Sequence, residues 1–389
     1  MADMLEYLDW RGDVPFSVSS FNEVDALLLA ELSYFPAEGT VSKDMSEPVS
    51  LKEAYSKFKA DKVPEEVRII SFEQDVELMR KMSESRRFAH MKIAAYTNVI
   101  NPSIDLQFAA LTCIMDDFIY VSFRGTDGSI AGWKEDCNIS FMDETAAQCM
   151  AVEYVKKHLT NDSRPLVLGG HSKGGNLAVY AAAFCPGEIQ QRVSRIYSFD
   201  GPGFKDEITS SEGYKAVSRK IISVIPQSSL VGQLLSSSIE HRIVKSTASG
   251  IMQHLAYSWQ VEAHSFDYAE ELSKTGVFIN RTMSSWLSSM DDNDRQTFVD
   301  AVFGVLEASD SETFKGMHNN RRKSFAAIIK ALKALSPEQQ AAAKKALAQL
   351  ASQGKKALLA GLEEEERLQK RPAILEKPLS LIDKRTSGT

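Results

Sequence analysis

The sequence has few cysteines and no long apolar run, and each shortage excludes a class of protein. Its four cysteines, Cys113, Cys137, Cys149 and Cys185, are scattered without a Cys-x-x-Cys pair or a cysteine/histidine ligand spacing. This pattern predicts neither a zinc site nor a disulfide framework, so we expect small buried cysteines in a reducing compartment. Because no apolar run is long enough to cross a bilayer and no charged-then-apolar leader opens the chain, we expect a cytoplasmic protein.

Charge is distributed unevenly along the 389 residues. The formal net charge of -7 argues against nucleic acid as the main partner. Between Lys315 and Ala360, however, ten basic residues accompany a single acidic one, Glu338. Apolar residues at helical spacing run from Phe325 to Leu335 in the same segment. This combination predicts either peripheral contact with an anionic membrane surface or a solvated pair of helices docked on the core.

Strand-like and helix-like segments alternate from Gln107 onward. The strand-like runs are residues 108–115, 118–123, 165–168, 195–199 and 220–225, and the helix-like runs are residues 146–159 and 176–184. The first two runs are separated by Asp116-Asp117, which predicts a hairpin. The alternation predicts an α/β fold with a mainly parallel sheet and helices on both faces.

The segments before and after this alternating region are predicted to be helical. Residues 22–32 have apolar positions on one helical face, and the charged stretch that follows, to about Ala95, is also helix-like. Ser336-Pro337-Glu338-Gln339 has the composition of a helix start. We therefore predict a domain over residues 1–290 with an N-terminal helical segment, followed by a helical C-terminal extension over residues 291–389.

The motif with the clearest chemical meaning is Gly170-His171-Ser172-Lys173-Gly174. It lies between the apolar run that ends at Leu168 and the helix-like run that begins at Asn176. A strand, a tight Gly-x-Ser-x-Gly turn and a helix, in that order, expose a serine hydroxyl as a nucleophile. The flanking glycines let the strand and the helix pass closely. The alternative is that Ser172 only caps the helix.

A serine nucleophile needs a base to accept its proton. Four histidines follow Ser172 in the chain. His254 is preferred because a glycine precedes it and aromatic residues follow it. These aromatic residues are expected to form the wall of a pocket. His264 and His241 stay open as alternatives, whereas His318 lies in the predicted helical extension.

The base in turn needs an acid to orient it, and Asp200 is the candidate. It follows the strand-like run 195–199 and opens the constrained turn Gly201-Pro202-Gly203. The carboxyl end of a parallel strand is where such folds place residues of the site. The alternative is an aspartate that only organises its own turn.

The negative charge that develops on the attacked carbonyl needs rigid hydrogen-bond donors. One is expected from the backbone N–H of Lys173, the residue after the nucleophile. The second is expected from Thr126, in the loop that ends the second hairpin strand, with its hydroxyl holding that loop in place. Arg124 is expected to be structural and to pair with a carboxylate such as Asp136.

Several of these segments resemble the class 3 lipases. In that family Phe-Arg-Gly-Ser/Thr is followed by Trp-x-x-Asp and Gly-His-Ser-x-Gly-Gly, and the chain matches at residues 123–126, 133–136 and 170–175. The chain is more similar to the DUF2974 group of bacterial lipase-like proteins, through residues 8–13, 170–178 and 199–204. The resemblance covers roughly residues 4–270 and implies an α/β-hydrolase fold.

By this resemblance Ser172 corresponds to the nucleophile, Thr126 to the oxyanion residue and His254 to the histidine. The family's acid falls in a segment, residues 226–232, that here contains no carboxylate. Either Asp200 supplies the acid or the triad is incomplete. Lys173 replaces the family's usual apolar residue, which predicts a polar or anionic head group near the acyl site.

Two functions follow as alternatives. The first is a serine esterase or lipase that cleaves carboxylic esters, such as lipid or lysophospholipid esters, through an acyl-enzyme on Ser172. The second is a catalytically silent hydrolase-fold scaffold whose helical tail binds a partner protein. Neither alternative requires a metal or a cofactor.

Overall fold

A computed structural model describes residues 2–64, 71–127, 129–235 and 239–307, with short stretches between residues 330 and 357. The helices of these residues are α1 (Met4–Arg11), α2 (Glu23–Glu31), α3 (Leu51–Lys57), α4 (Phe72–Glu84), α5 (Ile130–Asn138), α6 (Ala146–Leu159), α7 (Lys173–Phe184), α8 (Gly187–Arg192), α9 (Asp206–Thr209), α10 (Glu212–Val217), α11 (Lys274–Ser288) and α12 (Asp292–Glu307). The strands are β1 (Val49–Ser50), β2 (Lys92–Asn101), β3 (Leu106–Ile114), β4 (Ile119–Phe123), β5 (Leu166–His171), β6 (Val193–Phe199), β7 (Ile221–Pro226), β8 (His241–Val244), β9 (Val261–Glu262), β10 (Ser265–Phe266) and β11 (Tyr268–Ala269).

One large sheet has the strand order β1-β2-β3-β4-β5-β6-β7-β8-β11. Its five central strands, β4 to β8, are parallel and follow one another in chain order. Antiparallel pairs flank them, with β1, β2 and β3 on one side and β11 on the other. This parallel centre, with a strand, tight turn and helix that begin at β5, is the α/β-hydrolase fold that the sequence predicts.

The two faces of the sheet are covered by different parts of the chain. Val121 on β4 and Leu168 on β5 point into the core under α6, α7 and α10. Their neighbours Tyr120 and Val167 point into the core on the opposite face, because successive side chains of a strand alternate in direction. Sequential right-handed crossovers place their helices on one face. The second layer is therefore supplied by the N-terminal segment, whose helix α2 packs on β4, β5 and β6.

The predicted strands and helices of the alternating region are confirmed, including the hairpin of β3 and β4 and the helix α6. The prediction that residues up to about Ala95 are helix-like is wrong at its end, because β2 begins at Lys92 and pairs with β3. Ala94 and Ala95 favour a helix, so the pairing of Ile93 and Ala94 with β3 decides the conformation of this stretch. The short strands β8 and β11 were also missed.

The cysteine prediction is only partly correct. All four thiols are free, and Cys113 and Cys185 are buried as expected. Cys149, however, is exposed and Cys137 is only partly buried. Within the described ranges, no helix is both long and apolar enough to cross a membrane.

The predicted helical extension is described only in part. Its first helix, α12, packs Val299 and Phe303 against Phe141, next to the end of α5. The predicted helix start at Ser336 is confirmed, because Ser336 and Gln339 form reciprocal side-chain to backbone hydrogen bonds of 3.0 and 3.1 Å. Most of the basic segment 315–360 lies outside the described residues, as does its apolar stripe before Leu335.

Candidate active site

The strand β5 turns sharply into α7 at Ser172. Ser172 has φ 57° and ψ -132°, a conformation that non-glycine residues rarely adopt and that strains the backbone. A Cβ atom on Gly170 would collide with the backbone of Gly174, and one on Gly174 with the carbonyl of Phe123. The predicted reason for both glycines, close passage of strand and helix, is therefore confirmed. The Ser172 side chain makes no capping hydrogen bond to α7, so the alternative of a simple helix cap is wrong.

Three side chains from separate elements meet at this turn. His254 Nε2 lies 3.0 Å from Ser172 Oγ, and His254 Nδ1 lies 2.6 Å from Asp200 Oδ2. Asp200 is fully buried, Ser172 is 7% exposed and the His254 side chain is 22% exposed. The imidazole thus bridges a buried carboxylate and a hydroxyl at the surface of the site. This arrangement can transfer a proton from serine to histidine.

The Asp200 carboxylate is held by the segment where the resemblance predicted the acid. Asp200 Oδ1 accepts hydrogen bonds from the Ser229 hydroxyl and, at 3.1 Å, from the Gly232 N–H. A Cβ atom at position 232 would lie only 2.5 Å from that oxygen, so the approach requires glycine. Residues 226–232 therefore supply donors to the carboxylate instead of the carboxylate itself. Asp200 has φ 48°, a left-handed conformation, and its N–H donates to the Val224 carbonyl.

A second histidine, His171 of the serine motif, lies behind His254 and was not among the predicted bases. His171 Nε2 donates to the His254 carbonyl at 2.8 Å, and the two rings lie 4.7 Å apart. Burial, and then the charge of His254, lower the pKa of His171 to about 3, so this ring stays neutral beside the catalytic candidate. On its other side Glu31 Oε1 lies 3.1 Å from His171 Nδ1. Burial and the nearby Asp75 raise the pKa of Glu31 well above its usual range.

The other candidate histidines lie away from this cluster. His241 Nδ1 forms a 2.8 Å hydrogen bond with Ser223. His264 is exposed in the turn between β9 and β10, and His318 lies outside the described residues.

The prediction that aromatic residues after His254 wall a pocket is wrong. Trp259 is fully buried, and its Nε1–H donates to the Gln253 carbonyl at 2.8 Å. Tyr257 is 5% exposed and donates to Asp75 at 2.7 Å. These rings anchor the loop from beneath, because their polar atoms find partners only inside the protein.

The loop after β4 lies directly against the nucleophile. A Cβ atom on Gly125 would lie 2.9 Å from the Cβ of Ser172. The Thr126 hydroxyl donates to Asp136 Oδ2, so it holds the loop as predicted. Burial raises the pKa of Asp136 to about 6. Among the described residues and outside the helix and strand ladders, neither the backbone N–H of Thr126 nor that of Lys173 has a hydrogen-bond acceptor.

Two predictions about basic residues are corrected. Arg124 pairs with a carboxylate as predicted, but that carboxylate is Asp127, at 3.3 Å, and not Asp136; the guanidinium also donates to Asn98 at 2.9 Å. The Lys173 side chain is fully buried and cannot face a substrate. The prediction of an anionic head group beside it is therefore wrong. In the described part of the chain, no group of three or more histidine, cysteine or acidic side chains is arranged to hold a metal ion.

Comparison with known proteins identifies the family. No curated protein matches the sequence. Solved structures give weak likenesses. The MDLA protein of Penicillium cyclopium, in a mutant form, has 12% identity and a TM-score of 0.36 over 62% of this chain and 82% of its own. The Lip2 lipase from Yarrowia lipolytica has 11% identity and a TM-score of 0.26 over 45% and 72%. The Rhizomucor miehei lipase in complex with its propeptide has 17% identity and a TM-score of 0.29 over 40% and 57%.

The family model named Mbeg1-like matches residues 82–304, which is more than half of the chain. The match spans β3, β4, the turn at Ser172 and the loop of His254, so it contains each segment of the site described above. The match leaves out α1, α2 and all of α4 except its last three residues. These helices cover the second face of the sheet. This protein belongs to the Mbeg1-like family, the lipase-like family of the DUF2974 type.

Proposed function

We propose that this protein is a serine hydrolase that cleaves carboxylic esters through an acyl-enzyme on Ser172. The observation that carries the proposal is the continuous contact from Ser172 Oγ to His254 Nε2 at 3.0 Å and from His254 Nδ1 to Asp200 Oδ2 at 2.6 Å. The strained backbone of Ser172 supports it, because such strain persists where the surrounding structure holds a functional group in place.

In this mechanism His254 Nε2 accepts the hydroxyl proton while Oγ attacks the ester carbon. Asp200 accepts the Nδ1–H and stabilises the imidazolium that forms. The amides of Thr126 and Lys173 donate to the carbonyl oxygen as it becomes negative. His254 then gives its proton to the leaving alcohol. A water molecule, deprotonated by the same histidine, releases the acid and restores the serine.

The site favours an ester with an apolar acyl chain. Ile251 and Met252, on the turn that leads to His254, are 59% and 45% exposed. Trp133, on the helix that follows the Thr126 loop, is 48% exposed. Exposed large apolar side chains on the segments that carry a site indicate contact with an apolar ligand. We therefore propose lipid esters, including lysophospholipids, as the substrate class.

Labelling with a fluorophosphonate probe tests the proposal, together with hydrolysis of p-nitrophenyl esters of increasing chain length. We expect the wild type to label and to turn over esters, and Ser172→Ala to do neither while its thermal unfolding is unchanged. In another serine-histidine-aspartate triad, removal of the serine nucleophile lowers kcat by about 10⁶-fold. Asp200→Asn is expected to label slowly, because the imidazole loses its orienting carboxylate.

Two outcomes would count against the proposal. Labelling that persists in Ser172→Ala would place the reactive group elsewhere. A folded wild type that neither labels nor exceeds the turnover of Ser172→Ala would favour the silent scaffold instead.

A further inference from the structure

Two consecutive acidic residues on α5 each bind one of the residues proposed to supply the oxyanion donors. Asp136 accepts the hydroxyl of Thr126. Its neighbour Glu135 lies 2.9 Å, through Oε2, from the ammonium of Lys173. The loop of Thr126 precedes α5 in the chain, and Lys173 is the first residue of α7. One short stretch of α5 therefore contacts both residues that are proposed to supply the oxyanion donors.

The contact between Lys173 and Glu135 is completely enclosed. The two side chains are 0% and 1% exposed. The ammonium also donates to the Gln107 carbonyl at 2.8 Å and to Gln107 Oε1 at 2.6 Å, so all three of its protons have acceptors. Glu135 accepts in addition from the N–H of Gln107 at 3.1 Å and of Ala147 at 2.8 Å. Every charge in this contact is thus paired and hydrogen-bonded.

A buried ion pair of this kind keeps α5 and the start of α7 at a fixed distance from each other. Breaking a buried ion pair leaves an unpaired charge in a medium of low dielectric constant, which costs several kcal/mol. Any shift of α5 against the start of α7 would stretch this pair. Stabilisation of an oxyanion depends on donors held within about 0.5 Å of their productive positions. The pair therefore restrains the two elements from which the donors project.

We propose that Glu135 and Lys173 form a positioning pair that sets the distance between the backbone amides of Lys173 and Thr126 for the oxyanion. The side chain of Lys173 acts through its own backbone, and Glu135 acts through Lys173 and through its neighbour Asp136. Neither side chain touches the substrate. This inference rests on the proposed hydrolase function and explains why a lysine follows the nucleophile in this chain.

The double variant Lys173→Met/Glu135→Gln separates positioning from stability. It removes both charges together, so no unpaired charge is buried, and the amide oxygen introduced at position 135 still accepts from a backbone N–H. The backbone amide at position 173 remains. We expect its thermal unfolding to stay within a few degrees of the wild type, while kcat for a p-nitrophenyl ester falls about ten- to hundredfold with KM within twofold. This loss is smaller than the 10²- to 10³-fold that follows removal of a whole donor.

A second readout follows the oxyanion directly. A trifluoromethyl ketone forms a hemiketal with the serine, and its oxygen occupies the place of the oxyanion. We expect its inhibition constant to rise by the same factor as kcat falls, which a loss of general stability would not produce. Should the double variant fold poorly, the single variant Glu135→Asp keeps both charges and draws the carboxylate back by one methylene, and it is expected to show the same split, at about tenfold.

Lys134→Met is the matched control, because it removes a lysine from the same helix by the same substitution. Lys134 pairs with Asp105 at 3.2 Å and with Asp300 at 3.8 Å. Its kcat and inhibition constant are expected within twofold of the wild type.

The outcomes separate this inference from the function on which it rests. An active wild type and a folded double variant with wild-type kcat would overturn the positioning role alone. A parallel loss in Lys134→Met would also overturn it, since any disturbance of α5 would then be enough. A wild type without labelling or turnover would remove the hydrolase proposal and the inference with it.

Discussion

The two faces of the sheet are covered by helices that are connected to it differently along the chain. Under α6, α7 and α10 the core is apolar and rich in alanine, and buried hydrogen bonds cross it: the Tyr154 hydroxyl of α6 donates to the Ala95 carbonyl at 2.9 Å and lies 2.8 Å from the Thr112 hydroxyl. The opposite face likewise has an apolar core that buried polar groups cross. The Tyr120 hydroxyl donates to the Ala26 carbonyl at 2.9 Å, and the Ser122 hydroxyl to the Leu29 carbonyl at 2.7 Å.

The two layers differ in how they are connected. The crossover helices are joined to the strands by short stretches of chain, which limits where they can lie. The helix α2 comes from a distant part of the chain, and directional hydrogen bonds fix where it lies on the sheet. The same layer includes Glu31 and Asp75, which contact His171 and Tyr257 next to His254. The N-terminal segment therefore supports the site as well as the core.

The largest effect on this comparison is expected from Arg87→Met, on the face covered by the N-terminal segment. The Arg87 guanidinium donates to both oxygens of Asp25, including a 2.8 Å bond from Nε, and both side chains are fully buried. Removing one partner leaves a buried charge, so we expect the free energy of unfolding to fall by about 3–5 kcal/mol. Urea denaturation measures it. Arg80→Met, which breaks half-exposed pairs with Glu77 and Glu84, is the control and is expected to lose less than about 1 kcal/mol.

On the face covered by the crossover helices the matching variant is Leu159→Ala, at the end of α6. Leu159 is fully buried, so its truncation is expected to lower the free energy of unfolding by about 2–5 kcal/mol through the lost burial of apolar surface and the cavity left behind. Ester turnover per folded molecule should be unchanged, because Leu159 lies by the amino end of β6, where Arg192 donates to its carbonyl, and the site lies at the carboxyl ends of the strands.

Combining Leu159→Ala with Arg87→Met tests whether the faces are independent. We expect the two losses to add within about 0.5 kcal/mol. A larger coupling would show that the two layers share more than the sheet between them, and would break the comparison.

The last test concerns the pH dependence of stability and the variant Asp75→Asn. Burial raises the pKa of Asp75 to about 7, so the folded protein keeps a proton that the unfolded chain loses near pH 4. Its stabilising contribution is present at acid pH and is lost as the pH rises towards 7, at up to about 1.4 kcal/mol per pH unit. Asp75→Asn keeps an acceptor for Tyr257 and removes this slope. Urea denaturation from pH 4.5 to pH 8 measures it, and an identical slope in both proteins would contradict the assignment.

Local patterns were sufficient to predict the segments that carry the site. The glycine-flanked turn at Ser172 and the strand before it depend on neighbouring residues only, whereas the chain order of acid and histidine left His241, His254 and His264 open as the base. The start of β2 could not be predicted, because Ala94 and Ala95 follow a charged, helix-like stretch and join the strand only through pairing with β3. The burial of Lys173 was equally invisible, since a lysine is normally exposed and its acceptors, Gln107 and Glu135, are distant in the chain.

The amino-acid sequence by itself determined the bend that exposes Ser172, since that bend needs only glycines, a strand and a helix in order. The tertiary structure alone decided what surrounds it: which histidine reaches the hydroxyl, which carboxylate holds that ring, and which way the lysine side chain turns. The physical reason is that backbone conformation responds to neighbours along the chain, whereas hydrogen bonds and buried charges join residues that only the completed fold brings within a few ångströms.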